Sequence, residues 1–154
     1  MFLLRPLRPE DESFLLKLYA STREEEMAAW GWDKAGQEAF ITMQFTAQRR
    51  WYEAAYPQAE HRLIILRDES IGRIIVLREK TRIELIDIAL LPEYRNEGVG
   101  TALLGELIEE SRKSGVPLRL QVRRNNEAAI RLYRRLGFSP IEEDEVYCRM
   151  ERRS

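Results

Sequence analysis

The chain has 154 residues, of which 44% are hydrophobic and 33% charged, with 25 Lys plus Arg against 26 Asp plus Glu and a formal net charge of −1. That length suits one domain with a real core, and the charge balance lacks the basic excess that binding to nucleic acid needs. A single cysteine, Cys148, and a single histidine, His61, exclude an intramolecular disulfide and the common zinc sites.

No apolar run approaches the roughly 20 residues that span a bilayer, and the opening MFLLRPLRPEDE does not read as a signal peptide. The expectation is a cytoplasmic protein with no metal, no membrane and no nucleic-acid partner.

Residues 2–7 read as a short strand closed by Pro6 and Pro9. The segment PEDESFLLKLYASTREEE follows, with acids in its first turn and Phe14, Leu15, Leu18 and Tyr19 at helical spacing. A second helix is predicted between Asp33, as N-cap, and Pro57, as stop. Three β-branched runs separated by RDES and REKT predict an antiparallel meander near 62–67, 71–78 and 82–91.

A helix over about 98–113 comes next, with Leu103, Leu104, Leu107 and Ile108 on one face and Gly115 as its stop. VPLRLQV reads as a strand, NNEAAIRLYRRLG as a short helix ended by Gly137, and FSPI and VYCRMER as two last strands. The order β-αα-βββ-α-β-α-ββ is that of a mixed α/β single domain over residues 1–154.

Chemistry gathers where the third strand of the meander meets the next helix. The first four N–H groups of a helix lack partners, and together with the positive end of its dipole they make an anion site. Glycines such as Gly98 and Gly100 let a phosphate approach the backbone with no Cβ in the way. The residues fail the P-loop, because no Lys follows Gly100, and fail the dinucleotide fingerprint, because Leu103 stands at its third glycine.

Arg95 through Gly100 do fit Arg-x-x-Gly-x-Gly. This stretch resembles the acetyl-CoA pyrophosphate loop of the GNAT superfamily of N-acetyltransferases. The likeness extends to IELIDIALLPEYR, which is similar to the strand and Pro that enter that loop. In VRRNNEAAIRLYRRLGF, Asn126, Tyr133, Gly137 and Phe138 occupy the places of the family's second signature. The strand and helix at the N-terminus are also similar, so the resemblance covers residues 3–150.

The resemblance implies an α/β fold with a central, mostly antiparallel sheet of about seven strands flanked by about four helices. A splayed parallel pair, strands 82–91 and 117–122, would hold acetyl-CoA. It also implies that the backbone of Ile88, Ala89 and Leu90 pairs with the acetyl-pantetheine arm and polarises the thioester carbonyl. Arg95 opens the pyrophosphate loop, and the amides of Asn96, Glu97, Gly98, Val99, Gly100 and Thr101 would cradle the diphosphate. Asn126 would hydrogen-bond the pantetheine, with Ala129 packed beside it. Glu97 departs from the basic or small residues usual there, at a modest expected cost to affinity.

The chemistry resembled is direct attack of a primary amine on the thioester, so Cys148 has no required role and reads as packing. Tyr133 is implied as the acid that meets the departing thiolate. Glu84 is expected as the base, since period-2 alternation places it on one strand face with Ile86, Ile88 and Leu90; the competing reading is an ion-paired residue, with Arg73 or Arg82. Gln121 stands where other members carry a Glu.

The resemblance puts the acceptor side on the first two helices and the last hairpin, with Trp30, Trp32, Met43, Phe45, Trp51, Tyr52 and Tyr56, and with Glu24–Glu26 or Glu142–Glu145 as attractors of a cation. Small-molecule and protein amines both stay open as acceptors, and so does a homodimer. Gln121 leaves a second reading, an acetyl-CoA-binding sensor or partner module with little turnover.

Overall fold

Among the described residues seven stretches become strands, the first five carrying most of the Ile, Leu and Val: β1 Phe2–Pro6, β2 Glu60–Leu66, β3 Glu69–Arg78, β4 Ile83–Leu90, β5 Leu118–Arg123, β6 Ser139–Glu143 and β7 Tyr147–Arg152. The computed structural model describes residues 2–153, with every side chain in that range except that of Glu25. The strands form one sheet in the order β1-β2-β3-β4-β5-β7-β6, in which β4 and β5 run parallel. The helices are α1 Glu12–Ser21, α2 Glu24–Trp30, α3 Lys34–Ala55, α4 Val99–Ser114 and α5 Glu127–Arg135.

Among the described residues five α-helices stand where about four are expected. The additional one is α2, which the sequence pattern runs together with α1. Arg23, at φ −116° and ψ 0°, separates the two, and Gly31 ends α2 in the left-handed conformation at φ 69°. A glycine adopts that conformation without the Cβ penalty.

The described residues divide into two compact units, one of residues up to Ile74 with Ala89–Arg95, the other of Ile75–Ile88 with Asn96 onward. The divisions fall inside β3 and β4.

In the first unit β1 and β2 pair antiparallel from Phe2 opposite Leu66 to Pro6 opposite Arg62. Leu15, Tyr19, Met27, Ile41, Phe45 and Leu63 make a buried apolar cluster, which explains why α1 and α3 carry apolar residues three and four apart. Asp33 caps α3, its side chain accepting from the Gly36 N–H at 2.8 Å. Arg5 grips the buried Asp11 through two bonds of 2.8 Å, and this holds the Asp11 carboxyl below its ordinary range. Gln44, polar in an apolar run, accepts from the Tyr19 hydroxyl at 3.4 Å.

Gly72 marks a close approach of backbone to backbone. A Cβ there would lie 2.3 Å from the Ala89 carbonyl oxygen and 2.8 Å from Leu90 Cδ2. Main chain cannot swing aside as a long side chain can. Gly72→Ala is therefore expected to destabilise the protein by about 1–3 kcal/mol, which thermal unfolding would read as a drop of several degrees in Tm. An unchanged Tm would contradict this approach.

In the second unit Leu118, Leu120 and Val122 of β5 are buried along with Cys148 and Met150 of β7 and Leu103, Leu104 and Leu107 of α4. The alternate residues Gln121 and Arg123 are exposed, as period-2 alternation requires. Gly115 closes α4 at φ 69°, and its N–H donates to the Arg112 and Ser111 carbonyls.

Candidate functional site

The junction between β4 and α4 has the local chemistry of an anion cradle. After β4 a 3-10 turn spans Pro92–Tyr94, and the chain then takes left-handed conformations at Asn96, φ 61°, and Gly98, φ 86°. Gly98 is the N-cap of α4, and the Ala102 N–H donates back to its carbonyl at 2.9 Å. The N–H groups of Val99, Gly100 and Thr101 precede that first helical bond and so have no intrahelical acceptor.

A Cβ placed on Gly98 or on Gly100 would meet nothing within 4 Å. Space therefore lies over the same backbone whose donors are spare. Asn96 and Glu97 are exposed, and no acid occupies the first turn of α4, so Glu97, one residue before the N-cap, is the acid nearest the positive end of its dipole. Arg95, by contrast, turns back on its own unit, where its Nε donates to the Leu90 carbonyl at 3.1 Å.

The parallel ladder between β4 and β5 is short. Ile83 faces Leu118, Glu84 faces Arg119 and Leu85 faces Leu120, and there the register ends although both strands continue. Ile86, Asp87 and Ile88 are half-buried beyond it. On β5, residues through Arg123 stay paired with β7 on the other side.

Glu84 is buried, only 6% exposed. Its Oε1 receives Arg149 at 2.9 Å and lies 3.8 Å from Arg82 Nε, a buried nitrogen that makes no hydrogen bond among the described residues. Arg149 also lies 3.7 Å from Glu142 and stands opposite Gln121 in the β5–β7 register. Sequence alternation finds Glu84 and the nearby Arg82. It cannot find Arg149, 65 residues away, whose only signal is the alternation of β7 around the buried Cys148 and Met150.

Asn126 caps α5, its side-chain oxygen accepting from the Ala129 N–H at 3.2 Å. The residue is exposed, so its amide NH2 still has donors to offer a ligand. Ala129 is half-buried on the first turn of α5. Tyr133 lies one turn further on, half-buried, with its ring 5.8 Å from that of Phe138. Burial pushes the Tyr133 phenol up from its ordinary value, and no neighbouring charge contributes to the shift. Cys148 is buried and its thiol is likewise pushed up, chiefly by burial, which suits packing and not nucleophilic attack.

Among the described residues no group of three or more His, Cys, Asp or Glu could hold a metal ion, and no helix is long and apolar enough to cross a membrane.

The chain is similar to known proteins. Residues 17–138 match the acetyltransferase (GNAT) family. The [ribosomal protein bS18]-alanine N-acetyltransferase of Escherichia coli (strain K12) is 50% identical over 66 residues, 42% of this chain and 43% of that relative. Its counterpart in Haemophilus influenzae is 36% identical over 80 residues, 51% of this chain and 54% of that one. The matched stretch thus spans about half the length of these curated relatives.

Among solved structures, the PaiA N-acetyltransferase from Thermoplasma acidophilum in complex with coenzyme A superposes with a TM-score of 0.70 at 21% identity, covering 100% of this chain and 99% of that one. The ribosomal-protein-S18-alanine N-acetyltransferase from Escherichia coli gives 0.62 at 22%, covering 99% and 94%. At such identities these likenesses concern the fold. With the family match running through most of its length, the chain belongs to the acetyltransferase (GNAT) family.

Proposed function

We propose that the protein, acting as a single N-acetyltransferase domain, transfers the acetyl group of acetyl-CoA to a primary amine. The observation that carries this reading is the set of spare amides at Val99, Gly100 and Thr101 beneath open space, directly after a strand whose parallel ladder stops short. Those amides, with the loop from Arg95 through Gly98, receive the diphosphate. Ile88, Ala89 and Leu90 offer strand backbone to the pantetheine arm, and one of their N–H groups polarises the thioester carbonyl. Asn126 donates its side-chain amide to the pantetheine beside Ala129.

In the reaction the amine nitrogen bonds to the thioester carbon and the C–S bond breaks, its electron pair leaving on sulfur. Glu84 accepts the proton that the amine sheds, through water. Both of its ion pairs fall on Oε1, so Oε2 is the oxygen assigned to this step. Tyr133 meets the sulfur.

The acceptor proposed first is the α-amine of a protein N-terminus beginning with alanine, on the strength of the names that the two bacterial relatives carry. A free-thiol release assay tests it with three acceptors: a peptide with a free N-terminal Ala, the same peptide N-acetylated, and a small polyamine. Thiol release is expected with the free peptide alone. Release with the polyamine alone would move the acceptor to small molecules. Calorimetric binding of acetyl-CoA with no release from any amine would favour the sensor reading instead.

A further inference from the structure

A cavity of about 280 Å³ opens in the first unit at the C-terminal end of α3. None of the residues assigned above to acetyl-CoA or to proton transfer lines it, although Tyr52 and Tyr56, expected on the acceptor side, do. Its apolar wall includes Phe45, Tyr52 and Tyr56, and its polar groups are Arg49, Arg73, His61 and Glu53. The lining thus holds two guanidiniums and one carboxylate.

The guanidiniums are held in place. Arg73 lies over the Tyr52 ring at 5.7 Å and donates to Gln48 at 3.1 Å, while Arg49 spans Glu12 at 3.1 Å and Glu53 at 3.7 Å. His61 stands edge-on to the same Tyr52 ring, centroids 6.4 Å apart. The pairs of Arg49 are largely exposed and weak. A guanidinium has five N–H donors, so a ligand carboxylate can join Arg49 without stripping its present partners. In the lining itself the two guanidiniums, Arg49 and Arg73, face one carboxylate, Glu53, while Glu12 reaches Arg49 from outside it. An apolar cavity of this size holds a small flat body.

We infer that this cavity is a binding pocket for a small organic carboxylate with a flat apolar body. The structure supplies a reporter, because the exposed Trp51 packs against both Tyr52 and Tyr56, at 5.3 and 5.8 Å.

The test titrates the full chain, without acetyl-CoA, with 3-phenylpropionate, 3-phenylpropylamine and 3-phenylpropanol. Tryptophan fluorescence and calorimetry are read in parallel. The carboxylate is expected to bind with a Kd of about 1 mM or tighter, at least about tenfold better than the amine or the alcohol. Arg49→Gln should weaken it by about tenfold, and Arg49→Lys by less; circular dichroism checks that both variants are folded. Trp51→Phe should remove most of the optical change and keep the heat. Absence of saturable binding up to roughly 10 mM, equal binding of the amine, or indifference to Arg49→Gln would each overturn the proposal.

Discussion

Tyr133→Phe is expected to lower kcat by about 10²-fold or more, the range typical for loss of one hydrogen-bond donor to developing charge, and to leave KM for acetyl-CoA nearly unchanged. The substitution keeps the ring, its burial and its packing on Phe138 at 5.8 Å, so it isolates the hydroxyl. Ordinary values already constrain what that hydroxyl can do. A phenol near 10.0 stands above a thiol of about 8.5, and burial raises the phenol further.

Full proton transfer from Tyr133 to the sulfur is therefore uphill, by roughly 2 kcal/mol before the shift is counted. The role left to Tyr133 is a hydrogen bond donated to charge as it develops on sulfur; the proton shed by the amine goes to Glu84 through water, and the released thiolate takes its proton from solvent. This has a consequence for pH. Because the phenol titrates above its ordinary range, the Tyr133-dependent part of kcat should persist to pH 10 in the wild type. Steady-state thiol release at several pH values checks both statements. Equal kcat in the two proteins would remove Tyr133 from the reaction.

Features legible in the sequence are those that the local chain determines. The glycine at 98, the stop at Gly115 and the caps at Asp33 and Asn126 are turn chemistry, settled within four residues, and stand where their residue types suit; Gly100 answers no such conformational need. The strands of the meander were visible by their β-branched runs, with ends that shift by one or two residues.

Features that depend on distant chain were not legible. Glu84 was found by alternation, yet its partner Arg149 comes from the other side of β5, brought there by the β5–β7 register. Gly72 carries no local signal, and its need for a missing Cβ appears only beside Ala89. The cavity beside Tyr52 joins α3 to β2 and β3, three elements whose juxtaposition no local pattern encodes. Separating α1 from α2 failed for another reason: TREEE is as good a helix former as a helix boundary, and the break rests on a single residue, Arg23.

Gly100→Leu separates binding from folding. A Cβ at Gly100 meets nothing within 4 Å, and this glycine is not among those with positive φ. Leu is a better helix former than Gly by up to about 1 kcal/mol, so the variant should unfold at the same temperature as the wild type or slightly higher. Its side chain, however, would fill the space over the spare amides of Val99, Gly100 and Thr101. KM for acetyl-CoA is expected to rise roughly 10- to 100-fold, about 1.4–2.8 kcal/mol of binding. Gly98→Leu makes the contrast, because φ 86° forces a side chain into the left-handed region at about 1–2 kcal/mol. That variant should lose both stability and affinity. Thermal unfolding with acetyl-CoA kinetics on the pair decides the matter: a Gly100→Leu protein that is stable and keeps its KM would mean that the diphosphate lies elsewhere.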